Sequence, residues 1–203
     1  MELRMSDLTK ALAAAGTALQ TEAAALNLFA QSFEVNLKPA LEMIIECKGS
    51  VVITGLGKSG LVGAKMAATL SSTGTPSFFL HAADALHGDS GALNPADVVI
   101  AISNAGETAE VIAIARMAKS WNNKVIAITK NVTSTLAKTA DATISIACER
   151  EADPLNLAPT TSTTLTIAAG DALASALMAH RGFTAEKFGQ FHPGGTLGQV
   201  TNK

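Results

Sequence analysis

The sequence holds no tyrosine, one tryptophan and seven phenylalanines among its 203 residues. So few rings offer no array of stacking platforms for unpaired bases, which argues against a single-stranded nucleic acid ligand. Charge of one sign is equally scarce, with 15 Lys and Arg against 17 Asp and Glu and a formal net charge of −2. No global field is present to attract nucleic acid or an anionic membrane, so an anionic partner must be held by a local device. The two cysteines, Cys47 and Cys148, stand far apart and form neither a C-x-x-C pair nor a zinc spacing. They read as reduced thiols of a cytoplasmic protein. Apolar runs of about 18 residues are also missing, so no spanning helix is expected. Residues 11–19 (ALAAAGTAL) imitate the apolar core of a signal peptide, but Glu2 and Asp7 accompany Arg4 and Lys10 before it. Leu8, Leu12, Ala15, Leu19, Ala23 and Leu26 recur every three to four residues there, as on one face of an amphipathic helix.

What the chain does contain is apolar content, 48% hydrophobic against 16% charged, enough for the core of one domain. A first helix is expected over residues 6–32 and a second helical stretch from there to about Cys47, with a break or kink near Pro39. From Gly49 the rhythm changes. Short β-branched runs at 51–54, 77–80, 97–103, 124–129 and 142–147 alternate with helical stretches. These runs are nearly continuous in apolarity, as in parallel strands covered on both faces. The pattern predicts a five-stranded parallel sheet in a doubly wound, flavodoxin-like α/β/α sandwich, with one short crossover after Lys130. A last long helix is bounded by Pro159-Thr160 at its start and Arg181-Gly182 at its end. No repeat, linker or low-complexity tract is present. The chain reads as N-terminal helices over 1–48 packing on one α/β domain over 49–203.

Ligands of such a sheet bind beyond the carboxyl ends of the strands, near the point where strand order reverses. The first loop there, GLGKSG at 55–60, matches G-x-G-x-x-G but lacks the acidic residue a dinucleotide site needs at the end of the second strand. A Walker A reading fails because Val52 stands where its first glycine belongs. What remains is a glycine turn opening a helix N-terminus, an anion cradle to which Lys58 adds a charge and Ser59 a hydroxyl. The loop SNAGETAE at 103–110 repeats the device: Ser103, Asn104 and Thr108 can donate to phosphate oxygens. Glu107 reads as a first-turn acid complementing the helix dipole, and Glu110 as a carboxylate at the crevice mouth. The loop 81–91 carries His81 and His87, whose spacing is unspecific for a metal. His87 instead reads as a ring fixed by neighbouring Asp89 for proton transfer or a sugar hydroxyl. The loop 148–164 holds Glu149, Glu151 and Asp153, with Pro154, Leu155 and Leu157 apolar enough to shield one carboxylate and raise its pKa for general-base work. His180 beside Arg181 suits a helix C-terminus, whereas His192 before Pro-Gly-Gly implies a shaped turn, set against another subunit.

Seven strings together resemble the sugar isomerase (SIS) domain family, and within it the arabinose-5-phosphate isomerase group. They are GLGKSG (55–60), KMAATLSSTGTPSFFLHAADALHGD (65–89), DVVIAISNAGET (97–108), LAPTTSTT (157–164), GDALA (170–174), RGFTAE (181–186) and FHPGGTLG (191–198). The resemblance implies interconversion of D-arabinose 5-phosphate and D-ribulose 5-phosphate through a cis-enediol, feeding synthesis of the lipopolysaccharide sugar Kdo. It implies no cofactor and no metal, a sugar phosphate as ligand, and homotetramers with active sites between subunits. Transferred to this sequence, the catalytic set is Lys58, His87, Glu110, Glu151 and His192. The phosphate and substrate contacts are Gly57, Ser59, Ser103, Asn104, Thr108, Thr160 and Thr161. Glu151 or Glu110 would be the base, His192 a proton shuttle, and Lys58 the partner of the enediolate oxygen.

The sequence departs from the group in three ways. Ala105 replaces a serine of the usual Ser-Asn-Ser-Gly, Asp153 stands where relatives often have cysteine, and the chain stops at Lys203 where many relatives continue into paired cystathionine-β-synthase modules. It therefore reads as a short form, natural or cut, without that pair. Rival readings are a sugar-phosphate sensor, which would normally carry a basic helix-turn-helix missing here, an isomerase of another phosphosugar, and a dinucleotide-binding protein.

Overall fold

The computed structural model describes residues 5–194. Five strands, β1 (Val51–Gly55), β2 (Ser77–His81), β3 (Val98–Ile102), β4 (Lys124–Thr129) and β5 (Ala142–Ser145), form one sheet in the order β2-β1-β3-β4-β5. Every pairing is parallel. The continuous apolar runs give strands buried on both faces, and β1 and β3 are buried at every position.

Alternation along each strand sorts the side chains into two layers. Val51, Ile53, Ile100, Ile102, Ile126, Ile128 and Ile144 face one side. There they meet α2 (Phe33–Glu46), α3 (Gly57–Ser72) and α7 (Thr161–Arg181) through Ile44, Met66, Leu70, Leu165 and Leu173. Val52, Val99, Ala101, Val125 and Ala127 face the other side, against α4 (Ala82–Ala85), α5 (Ala109–Ser120) and the short α6 (Thr135–Thr139). A single 3₁₀ turn at Asp89–Ala92 completes the second crossover, and α6 is the short crossover expected after Lys130. The long α1 (Met5–Gln31) lies along α7, and α8 (Ala185–Phe191) follows it in the chain.

The two helices part at Ser32, as expected, but the expected break at Pro39 does not occur. Ser32 donates its hydroxyl to the carbonyls of Leu28 and Phe29, and α2 then runs through Pro39 without ending. Proline forfeits only the bond to the carbonyl of Val35, a residue 83% exposed, where water can substitute. The end of α7 is as expected, with Gly182 in the left-handed conformation at φ 58°, ψ 42°.

Strand order reverses between β1 and β3. From β1 the chain turns outward to β2 through α3 on one face. From β3 it turns the other way to β4 through α5 on the opposite face. The carboxyl ends of β1 and β3 therefore splay their outgoing loops apart, leaving a crevice between the starts of α3 and α5.

Ile100, fully buried at the centre of the sheet, is expected to cost about 3 kcal/mol when truncated to alanine. Leu61→Ala on α3, where the side chain is 74% exposed, should change stability by less than about 0.5 kcal/mol. Denaturant midpoints of the two variants check this.

Candidate active site

Unpaired polar atoms mark the crevice. Among the described residues, the buried side-chain atoms without a hydrogen bond are Thr54 Oγ1, His81 Nδ1, Asn104 Oδ1, Asn123 Oδ1 and Thr161 Oγ1. Thr54, Asn104 and Thr161 lie at the carboxyl edge of the sheet, near the end of β1, after β3 and at the start of α7, whereas His81 Nδ1, at the end of β2, already faces the Asp84 carboxylate at 3.3 Å. Folded proteins pair nearly all such groups, so a cluster of orphans at one edge marks the place prepared for a polar ligand.

The first wall is the turn from β1 into α3. Gly57 opens the helix at φ +58°, Ser59 follows half-buried, and Lys58 stands exposed with no ion pair among the described residues. Helix and strand approach so closely that a Cβ on Gly60 would lie 3.1 Å from the carbonyl oxygen of Gly55.

The second wall is the 103–108 loop. Ser103 is 2% exposed; its Oγ accepts the N–H of Gly106 at 3.1 Å and lies 2.8 Å from Thr108 Oγ1. Two hydroxyls hold two protons and their mutual bond uses one, leaving the other for an external oxygen. Neighbouring elements fix the loop. Asn104's carbonyl accepts from Lys130 N–H and Thr129 Oγ1, and Gly106's from Leu136 N–H, each at 3.0 Å. Gly106 sits at φ +73°, and a Cβ there would lie 2.1 Å from Ser134 Oγ. Glu107 does not serve its own helix. Its carboxylate accepts the N–H of Thr135 at 2.8 Å, tying the loop to the start of α6, and that backbone bond holds its pKa low.

The third wall is the 148–160 segment between β5 and α7. Glu151 is half-buried and its carboxylate is surrounded by donors from the start of α7: Thr160 N–H at 2.8 Å, Ser162 N–H at 3.1 Å, Ser162 Oγ at 2.5 Å and Thr160 Oγ1 at 3.3 Å. Asn104 Nδ2, at 3.5 Å, links it to the second wall. The expected shielded carboxylate of raised pKa is not found here. Leu155 and Leu157 are 75% and 77% exposed and shield nothing. Burial alone would raise the pKa of Glu151, but the bonds from Ser162 and Thr160 outweigh it and hold the group below the usual carboxylate range. Asp153 follows the same pattern: desolvation pushes its pKa up, and the N–H groups of Leu155, Leu157 and Ala158 more than offset this and hold it low.

Other expectations are placed as follows. Glu110 lies half-buried in the first turn of α5. His87 is exposed and no neighbour among the described residues orients its ring; it is His81 whose Nδ1 comes within 3.3 Å of a carboxylate, that of Asp84. Thr160, expected to contact substrate, spends its N–H and hydroxyl within the chain, on Glu151, Ala152 and Ala158. Thr161 is 1% exposed with its hydroxyl unpaired. Ser162, the shortest partner of Glu151, escaped the sequence reading, because a pairing across eleven residues leaves no local pattern beyond the Thr/Ser-rich helix start. A cleft of about 220 Å³ opens at this wall between Asn104, Lys130, Cys148, Arg150, Glu151 and Asn156.

His192 does not join these residues within one chain. The 21-residue α7 starts at the crevice and, at 1.5 Å per residue, carries the chain about 30 Å away. At its far end Arg181 donates to the carbonyl of Gly74 and to Thr75 Oγ1, just ahead of β2 at the amino edge of the sheet. Phe183 packs over Gly74 and lies 5.9 Å from the Phe191 ring. His192 follows there, its ring stacked on Phe188 at 3.9 Å and Nδ1 2.8 Å from the Phe188 carbonyl. Of the FHPGGTLG string, residues 195–198 lie outside the described residues.

Comparison with known proteins agrees with this fold. Residues 43–176 match the model of the SIS domain. The chain is 50% identical over 183 residues to arabinose 5-phosphate isomerase KpsF of Escherichia coli, covering 90% of this chain and 56% of that protein. It is 52% identical over 169 residues to arabinose 5-phosphate isomerase KdsD of E. coli K12, covering 83% and 52%. The chain thus spans about half the length of the curated relatives it matches. Among solved structures, E. coli CFT073 c3406 in complex with arabinose 5-phosphate superposes with a TM-score of 0.87 at 39% identity, covering 94% of this chain and all of that one. The Vibrio vulnificus NanR protein complexed with ManNAc-6P, at 20% identity and a TM-score of 0.68, shares the fold; the match covers 86% of this chain and 66% of that one.

A carboxylate of depressed pKa contributes stability above its unfolded pKa and loses it as pH falls through its folded pKa. Glu151→Gln should therefore melt below the wild type at pH 7, and the gap should close on acidification beneath the ordinary carboxylate range. Melting curves between pH 7 and 3 measure it; a gap independent of pH contradicts the assignment.

Proposed function

The chain belongs to the SIS domain family, and from that premise we propose that it is an aldose-ketose isomerase interconverting D-arabinose 5-phosphate and D-ribulose 5-phosphate. The observation that carries this reading is an anion cradle at the strand-order reversal beside a fixed, ionised carboxylate, in a chain about 50% identical to proteins named for that reaction. The phosphate sits between Gly57 and Ser59 on one wall and Ser103, Asn104 and Thr108 on the other. Lys58 adds the charge that the chain's net −2 does not supply. With the phosphate there, the sugar reaches toward Glu151 and the unpaired oxygens of Asn104 and Thr161.

Isomerisation requires ring opening, removal of the C2 proton of the aldose, and return of a proton to C1 of the cis-enediol. Glu151 is the base in this reading. Its low pKa keeps it ionised at neutral pH, at some cost in basicity. Its two oxygens are aimed by Thr160 and Ser162, so little reorganisation precedes transfer. Glu110, in the first turn of α5, is the second carboxylate near the mouth, and His87 contributes a polar rim. Lys58 stabilises the enediolate oxygen. No step calls for a metal or cofactor.

His192 enters this site only from another copy of the chain, as the shuttle between O1 and O2. The reading therefore includes a homo-oligomer, a tetramer with sites between subunits. The apolar groove of about 540 Å³ between α2 and α7, lined by Phe33, Leu37, Leu41, Ile45, Ala172 and Ala176, is a surface suited to such packing. No helix among the described residues is long and apolar enough to cross a membrane. A cytoplasmic enzyme supplying Kdo synthesis, with residues 1–48 as helices supporting the 49–203 domain, completes the proposal.

Purified protein incubated with arabinose, ribose, glucose and sedoheptulose phosphates should turn over arabinose 5-phosphate fastest. Binding of that sugar without turnover would replace the enzyme by a sensor, and preference for another sugar would replace the substrate. Glu151→Gln and His192→Ala should each lower kcat by about 100-fold or more. Co-refolded mixtures of the two variants should regain activity, because hybrid oligomers restore some sites with both residues intact. Absence of recovery would refute sharing of the site between subunits.

A further inference from the structure

Among the described residues two that are not glycine, Asn122 and Asn156, have positive φ, at 66° and 55°. Asn122 follows the end of α5, an ordinary place for that conformation. Asn156 ends no helix. It lies in the middle of the segment that carries Glu151 to the start of α7. Glycine would adopt this φ at lower cost, so the structure's use of asparagine calls for a role of its side chain.

That side chain has one partner. Asn156 Oδ1 accepts the backbone N–H of Glu151 at 2.7 Å. The loop around it is built more from polar bonds than from burial. Leu155 and Leu157 project into solvent, while the Asp153 carboxylate collects the N–H groups of Leu155, Leu157 and Ala158 at 2.8–2.9 Å. The carbonyl of Asp153 accepts the N–H of Asn156 at 3.0 Å. With Ala152 its one buried apolar side chain among the described residues, the loop relies mainly on these bonds and on that of Arg150 Nε to the Glu151 carbonyl at 3.1 Å. The Asn156–Glu151 bond is where the loop meets the backbone that presents the carboxylate, and Ala152 N–H to Thr160 Oγ1, at 2.7 Å, closes the circuit onto α7.

We infer that Asn156 is a positioning residue for Glu151, its left-handed backbone and side-chain oxygen fixing where the Glu151 backbone leaves the loop and hence where its carboxylate meets the substrate. The inference rests on reading Glu151 as the group that moves the substrate's proton. Lys130, Cys148, Glu149 and Arg150 share the surrounding cleft, and none forms an ion pair with the Glu151 carboxylate. Its placement therefore depends on hydrogen bonds alone.

Asn156→Gly isolates the side chain, because glycine keeps the backbone conformation without strain. The variant should melt close to the wild type. Its kcat should fall about tenfold with KM for the phosphosugar nearly unchanged, since a catalytic group displaced by a fraction of an ångström loses rate before binding. Asn156→Asp, which keeps an acceptor oxygen and tolerates the same φ, should recover most of that loss. A crystal structure of Asn156→Gly should show the Glu151 carboxylate shifted from Thr160 and Ser162. A Glu151 that has not moved overturns the inference, whatever kcat does, and so does an unchanged kcat in an active enzyme. Should the wild type turn over no phosphosugar, the reading of Glu151 as base fails, while the position of its carboxylate in the glycine variant still decides whether Asn156 places it.

Discussion

Both faces of a parallel sheet must be covered, and the rest of this molecule follows from that requirement. Five strands with side chains buried on either side need helices in two layers. Right-handed crossovers then allow the chain to cover both layers only by reversing its direction of winding once. The reversal falls between β1 and β3. Two helices on opposite faces thereby start beside one crevice, and the backbone N–H groups of their first turns point the same way. The anion cradle is thus a by-product of covering the sheet. In the proposed function, glycine at 57 and small polar residues at 103–108 keep that cradle open to a ligand.

The acidic side of the site is organised by the same physics with the charges reversed in origin. A long helix beginning at Thr161 exposes donors that must be satisfied. The chain satisfies them with its own carboxylate, Glu151, brought from β5 by a loop folded around Asp153 and Asn156. A helix N-terminus is therefore used in two ways within one crevice. At α3 no side chain caps it. At α7 it is filled by the Glu151 carboxylate, whose pKa these bonds hold low against the effect of burial.

Much of this was legible in the residues because it is local. Continuous β-branched runs identified the five strands, and Gly182 after Arg181 marked the end of α7. Ser103, Asn104 and Thr108 could be placed between β3 and α5 because a strand end, small polar residues, a glycine and a helix start follow one another in sequence. The mistakes concern interactions that skip along the chain. Glu107 reads as a cap for its own helix until α6 is seen to lie beside it. Leu155 and Leu157 read as a shield until the loop turns them outward. Pro39 reads as a break because the sequence does not show that the carbonyl it deprives is at the surface.

The sequence by itself determined the class of fold and the family, since each depends on patterns within a few residues or on motifs in order. Tertiary structure alone decided the ionisation of Glu151 and the residues that hold it, because these depend on donors eleven positions away that meet it only after β5 and α7 have docked. It also decided that His192 and Glu151 lie at opposite ends of one helix. The linear spacing of two residues is silent about direction, and a 21-residue rod separates what a list of motifs had put side by side.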